Sequence, residues 1–141
     1  MKSCTGDLIS ILIDSSVLIS AYNKRDMNHE KGQKILHEIE SGKFGEWLIS
    51  DYIFDEVVTV MFSKLHSKEA TAALGRHLLK ACTMLTVPPA IFIEAFTVFS
   101  QKNKLSFTDS TLLAMADKYG IEHIATFDKE IRRHFRNCVD S

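Results

Sequence analysis

Two aspartates stand where apolar strands end. The stretch "LISILIDSSVLIS" is apolar and β-prone from Ile9 to Ile13 and then reaches Asp14; "HIATFDKEI" is apolar from Ile124 to Phe127 and then reaches Asp128. Two further acids lie in apolar surroundings, Glu56 in "DYIFDEVVTVMF" and Asp109 in "SFTDSTLLAMA". Each has an ordinary reading. Asp14 before "SSVLIS" and Asp128 before "KEI" suit helix N-caps, and Asp109 opens a helix whose dipole favours a carboxylate. Glu56 is harder to dismiss. At about 100° per residue, it falls at the border of an apolar stripe, flanked by Ile53 and Val60, and Asp55 competes for the role on the other flank. If such acids converge, they repel. At 4 Å one pair costs about 1 kcal/mol in water and about 4 kcal/mol at an effective dielectric of 20. Only a cation or shared protons would hold them together.

The elements that must position these acids can be read from periodicity. Strands are expected at Ile9–Ile13, Glu46–Ser50 and His123–Phe127, with a short extended segment at "MLTV". Helices are expected from Ser16 to Tyr22, through Ile35, Leu36 and Ile39 to near Gly42, and from Asp51 to Leu65 along Ile53, Phe54, Val57, Val58, Met61, Phe62 and Leu65. Ser67 caps a further helix with Leu74, Leu78 and Ala81 inside. Pro89 suits a first helical turn, and the helix behind it carries a stripe of Phe92, Phe96 and Phe99, read as core along with Trp47. Thr108 or Asp109 caps a helix that ends at Gly120, with Leu112, Leu113 and Ala116 inside. A basic helix around Ile131–Phe135 closes the chain. Strands alternating with helices predict an α/β domain with a mainly parallel sheet. In such sheets ligands bind outside the carboxyl ends of the strands, which is where Asp14 and Asp128 sit.

Composition narrows the class. The chain has 141 residues, 45% hydrophobic and 25% charged, with a formal net charge of −1. That is one ordinary globular domain with no overall pull toward a polyanion. Any nucleic acid must be held by a local patch or by metal. Cys4, Cys82 and Cys138 are far apart and form no C-x-x-C pair, which predicts free thiols in a reducing cytosol. Lys2 and the apolar run Leu8–Ile13 make a poor leader: the run is short, it is bounded by Asp7 and Asp14, and no small-residue cleavage site follows. No window reaches the roughly 20 apolar residues of a membrane span. "HEKGQ" has Gln33 where a zinc-protease motif needs its second histidine, and no dinucleotide, P-loop or G-x-S-x-G motif occurs.

The order "LIDSSVLI", "DEVVTVM", "LSFTDSTLLAMADKYGI", "IATFDKEI" resembles the PIN-domain nucleases, from Ile9 to Phe135. The resemblance implies a three-layer sandwich around a mainly parallel sheet, in one domain spanning residues 1–141. It implies that Asp14, Glu56 (rather than Asp55), Asp109 and Asp128 form the catalytic and metal-binding set, with Ser16 and Thr126 as supporting hydroxyls. Oxygen-only ligation suits Mg²⁺ or Mn²⁺ better than zinc. The implied activity is metal-dependent hydrolysis of RNA, as in VapC-type toxins, by a homodimer controlled by a protein antitoxin in the cytoplasm. Arg132 and Arg133 in "DKEIRRHFRN", with Lys24–Arg25, are candidates for the RNA backbone, as are Lys102 and Lys104. After Phe135 only "RNCVDS" remains, so the family's last edge strand is short or missing. Two other classes stay open. One is an acidic-pocket phosphotransfer protein, either receiver-like or an aspartate-nucleophile phosphatase, although Ser16 stands where such a phosphatase wants its second aspartate. The other is a non-catalytic PIN-like scaffold.

Overall fold

The computed structural model of the chain describes residues 9–141, so Cys4 and the residues Lys2 to Asp7 weighed as a leader lie outside it. β1 (Ser10–Ile13) leads into α1 (Ser15–Tyr22) and α2 (His29–Glu40), then β2 (Glu46–Ser50), α3 (Asp51–Leu65) and α4 (Lys68–Ala81). β3 (Thr83–Leu85), α5 (Pro89–Ser100), α6 (Phe107–Tyr119), β4 (His123–Ala125), α7 (Lys129–His134) and β5 (Cys138–Val139) complete it. The five strands form one sheet in the order β3-β2-β1-β4-β5, and every pairing is parallel. All four residues of β1 are buried, as a central strand covered on both faces requires. The expected α/β sandwich is therefore present, and its edge strand exists as the two-residue β5.

Connection handedness divides the helices between two faces. Crossovers between parallel strands are right-handed. β1→β2→β3 steps one way across the sheet, whereas β3→β4→β5 steps the other. This puts α1–α4 on one face and α5–α7 on the other, in keeping with the packing of α1 on α2 and α3 and of α6 on α5 and α7. The chain thus leaves the neighbouring strands β1 and β4 toward opposite faces. In open α/β sheets a ligand-binding crevice lies at the carboxyl ends of strands that part in this way.

Several local expectations shift. α6 is capped by Ser106, not by Thr108 or Asp109: the Ser106 side chain accepts from Asp109 N, while Asp109 accepts from Ser106 N, a capping box. The Phe92, Phe96 and Phe99 stripe is not core; these residues are 42, 58 and 43% exposed. α5 instead buries the adjacent stripe of Ile91 and Ala95, with Val98 half-buried, and the aliphatic stripe, narrowest at Ala95, is the side that packs on α6. α4 buries Thr71, Gly75 and Leu78, with Leu74 and Ala81 only half-buried. Phe62 and Leu65, at the end of α3, are exposed. Cys82 and Cys138 are free thiols. Among the described residues no helix is long and apolar enough to cross a membrane.

Gly45 fixes the entry to β2. Its φ is +80°, and a Cβ there would lie 2.2 Å from the Ile9 carbonyl oxygen, which accepts the bond from Glu46 N. Gly42 also has positive φ (+88°), but open space surrounds it. Gly42→Ala should therefore cost only the left-handed penalty, about 1 kcal/mol. Gly45→Ala should cost at least about 2 kcal/mol, since backbone must also move. Urea melts of the two variants check this; equal losses would remove the β1–β2 contact from the explanation.

Candidate active site

Asp14 ends β1 with its backbone N–H bonded to Ala125 O at 2.9 Å, the last rung toward β4. It occupies the N-cap position of α1, yet its side chain makes no capping bond. The carboxylate is buried and held by hydroxyls instead. Its Oδ2 accepts from Ser16 Oγ at 2.7 Å and from Thr126 Oγ1 at 2.8 Å. Both hydroxyls also accept: Ser16 Oγ from Phe127 N at 3.0 Å, and Thr126 Oγ1 from Asp128 N at 2.9 Å. Two strand-to-helix turns are thereby stitched together around one carboxylate oxygen, which leaves Oδ1 for another partner.

The other acids approach from three further elements. Asp128 is the N-cap of α7; its Oδ1 accepts from Glu130 N and Ile131 N, which leaves Oδ2. Asp109 sits in the first turn of α6, with Oδ2 held at 3.0 Å by Ser106 N. Glu56, on the second turn of α3, accepts at Oε1 from Ser15 Oγ at 2.7 Å. That bond ties Glu56 to the residue next to Asp14. Asp55, by contrast, is exposed and meets only Thr59 on its own helix. Ser15 and Ser106 were not singled out in the sequence. Ser106 carried a readable signal, the S-x-x-D capping pattern; Ser15 carried none beyond its place beside Asp14.

The charges act on one another. Asp14 is 4% exposed, and burial pushes its pKa up to about 6 against an ordinary 3.8. The Ser16 and Thr126 hydroxyls pull it down, while the Asp109 and Glu56 charges push it up. The Asp109 pKa is also raised, first by burial and, against the Ser106 bonds, by the charges of Asp128 and Glu56. The four acids therefore share one electrostatic neighbourhood. Among the described residues no group of three or more His, Cys, Asp or Glu side chains is gathered tightly enough to hold a metal ion as it stands.

The basic candidates are dispersed. Arg132 is half-buried and paired with Asp140, and its Nε is buried without a partner among the described residues. Arg133 is exposed and reaches Glu130 at 3.3 Å. Lys24 and Arg25 are exposed, just beyond the end of α1. Arg25 and Lys64 line a groove of about 580 Å³ with Asn23, Asp26, Met27 and Asn28. α1 and α3 both start at the carboxyl edge of the sheet, so this groove lies beside their far ends. Eight helical residues put it about 12 Å from the acids. The structure does not bring Lys24 and Arg25 to the carboxylates.

The PIN domain matches residues 11–135 of this chain. The chain belongs to the PIN domain family. No curated protein matches it. Among solved structures, it is similar to the sarcin-ricin loop cleaving toxin VapC20 of Mycobacterium tuberculosis, with TM-score 0.74 and 21% identity over 88% of this chain and 94% of that one. A toxin–antitoxin complex from Klebsiella pneumoniae gives 0.67 and 21%, over 92% and 95%. VapBC2 of Rickettsia felis, bound to a DNA fragment from its promoter, gives 0.65 and 16%, over 92% and 96%. At these identities the likeness establishes the PIN fold.

Asp14 makes the stability of this PIN domain pH-dependent. With the folded pKa raised, the folded state prefers the protonated acid. The penalty is therefore present above pH 6 and disappears as pH falls through about 6 toward 3.8. A shift of that size is worth about 3 kcal/mol. In EDTA at pH 7.5, Asp14→Asn should be more stable than wild type by up to about 3 kcal/mol, and the difference should vanish near pH 4. Chemical denaturation at the two pH values measures it; a variant less stable at pH 7.5 would mean the carboxylate is held as a favourable charge.

Proposed function

We propose that the chain is a divalent-metal-dependent endoribonuclease, the toxin of a toxin–antitoxin pair, working as a cytoplasmic homodimer. One observation carries the reading. Asp14 sits where a cap would be and does not cap; it is buried, held by two hydroxyls and coupled in charge to Asp109 and Glu56. A buried carboxylate that two hydroxyls only partly compensate is costly unless a cation completes it. The toxin role is supported by the fold shared with VapC20 and with the toxin–antitoxin complexes.

The donor chemistry fits Mg²⁺ or Mn²⁺: the four acids and the hydroxyls bonded to them offer oxygen donors, and PIN nucleases generally use divalent metals. Asp14, Asp109, Asp128 and Glu56 would hold the ion. When bound, such an ion supplies positive charge to a phosphodiester and makes a bound water more acidic. The residues supply placement. The Asp14 oxygens are fixed by the β1–β4 ladder and both hydroxyls. Asp109 and Asp128 each give one oxygen to a helix N-terminus and keep the other. Glu56 is held from turning outward by Ser15. Raised acid pKa values mean that protons compete with the ion, so affinity should fall below pH 6.

A phosphotransfer reading fits less well. An aspartate nucleophile needs an acid partner two residues on, yet Ser16 occupies that place as a donor to Asp14. A non-catalytic scaffold would have no need of a buried carboxylate whose pKa is raised to about 6.

Single-stranded RNA should be cleaved with Mg²⁺ or Mn²⁺ and left intact with EDTA, and DNA of the same sequence should be spared. Asp14→Asn and Asp109→Asn should each lower the rate by about 100-fold or more with unchanged circular dichroism. Full activity in Asp14→Asn would sink the assignment.

The choice between neighbouring acids on α3 has its own test. Glu56→Gln should reduce cleavage and Mn²⁺ affinity at least about tenfold, whereas Asp55→Asn should leave both unchanged. The reverse order would assign the wrong acid. Arg133→Ala should weaken RNA binding and flatten its salt dependence. Arg132→Ala, whose partner is Asp140, should chiefly lower the melting temperature.

A further inference from the structure

The groove between the α1–α2 loop and the end of α3 gathers cations that nothing else in the fold uses. Its walls include Asn23, Arg25, Asn28 and Lys64. A hollow of about 380 Å³ shares Asn23, Arg25 and Lys64 with it and adds Lys24. Another, of about 330 Å³, shares Asp26 and Met27 and adds Lys31. Lys24, Arg25, Lys31 and Lys64 are exposed, and none is in an ion pair among the described residues. Only two acids, Asp26 and Glu30, line the same trough, in a chain whose net charge is −1. Asp26 gives one oxygen to Asn28 N at 2.8 Å. Asn23 accepts from Arg25 N through its side-chain oxygen at 3.2 Å, which leaves its NH₂ as a donor. Asn28 stands at the N-cap of α2 without making a side-chain capping bond. Helix dipoles do not account for the set. Lys64 suits the negative end of α3, but Lys24 and Arg25 lie beyond α1, and Lys31 stands in the first turn of α2, where a cation is disfavoured.

We infer that this trough holds the phosphodiester backbone of the RNA several nucleotides away from the cut, and so sets how long a strand the protein grips. The inference rests on the ribonuclease reading above and says where the strand runs once it leaves the acids. The helices join the two places. α1 and α3 are tied near their starts by the bond from Ser15 Oγ to Glu56 at 2.7 Å. Eight residues further along each chain segment, Asn23 and Lys64 line one groove. The two helices therefore run side by side from the acids to the cations, over about 12 Å. Midway along them stand Ile19 and Val60, half-buried and uncharged. At the roughly 3.4 Å per nucleotide of a stacked strand, 12 Å is about three or four nucleotides. Cations and amide donors there would hold phosphates without reading bases, and would offset the repulsion that the acids exert on a polyanion. An anionic membrane would also attract these cations, and Met27 on the same loop is 94% exposed. The cations line a concave trough, however, which suits a strand better than a flat surface.

Fluorescence anisotropy with a labelled twelve-nucleotide single-stranded RNA, in EDTA, tests this apart from any cleavage, with circular dichroism confirming the fold of each variant. The double variant Arg25→Ala, Lys64→Ala should bind about tenfold or more weakly than wild type, and its slope of log affinity against log salt should be shallower by about 1.4, the share of two phosphates on a single strand. Lys118→Ala, which removes an exposed cation of α6 on the other helical layer, should bind as wild type does. With Mn²⁺, wild type should cleave the twelve-nucleotide strand with a higher kcat/KM than a four-nucleotide one, and this preference should collapse in the double variant through KM. Unchanged binding in the double variant, or an equal loss in Lys118→Ala, would overturn the inference. So would a length preference that wild type lacks or that survives the double substitution. RNA binding that depends on Arg25 and Lys64 in a protein that cleaves no RNA would sink the nuclease reading and leave the trough standing as an RNA site. A double variant that holds RNA as wild type does but releases phosphatidylserine vesicles would overturn the inference and assign the loop to a membrane surface.

Discussion

The hydrogen bonds that converge on Asp14 Oδ2 set the terms for the rest of the crevice. Ser16 and Thr126 donate to one oxygen and each accepts from a backbone N–H of the β4–α7 turn. The hydroxyls thus serve two ends at once. They offset part of the cost of burying a charge, and they lock the exits of two adjacent strands into register. Neither a longer side chain nor an apolar one could do both. Since β1 and β4 send their helices to opposite faces, this knot also joins the two helical layers. The site and the sandwich are held by the same few bonds.

How much of this was legible from residues varies with the kind of evidence each element leaves. The position of Asp14 at the end of a buried strand was legible, but its side chain was not: an N-cap fitted the local sequence equally well, and only the missing capping bond separates the two. Glu56 was half legible: helix geometry left it level with Asp55, and the Ser15 hydroxyl that anchors it comes from 41 positions away. No local pattern records such a contact. The stripe on α5 misled for a physical reason. Ile91, Ala95, Val98 and Phe92, Phe96, Phe99 have the same spacing, so periodicity cannot choose between them. Bulk suggested the phenylalanines. Packing on α6 takes the aliphatic set, a tertiary fact that propensity does not contain. The two-residue β5 is shorter than any alternation can mark.

The alternative posed at the outset, cap or catalytic acid, dissolves once the oxygens are followed separately. A carboxylate has two, and a cap uses one. Asp128 gives Oδ1 to α7 and Asp109 gives Oδ2 to the Ser106 N–H at the start of α6. Each helix start also supplies partial positive charge where like charges crowd. Capping therefore does not compete with the proposed shared site, since it occupies only one oxygen of each of these two acids. Asp14 is the exception, since it leaves its helix uncapped and relies on hydroxyls. Its pKa is raised to about 6, because a hydroxyl pair offsets burial less completely than ionised partners would. The least compensated charge thus stands at the end of the central, fully buried strand. Under the proposed function, the residues that would hold a cation thus start from unequal compensation, with Glu56, Asp109 and Asp128 each held through one oxygen and Asp14 the least offset.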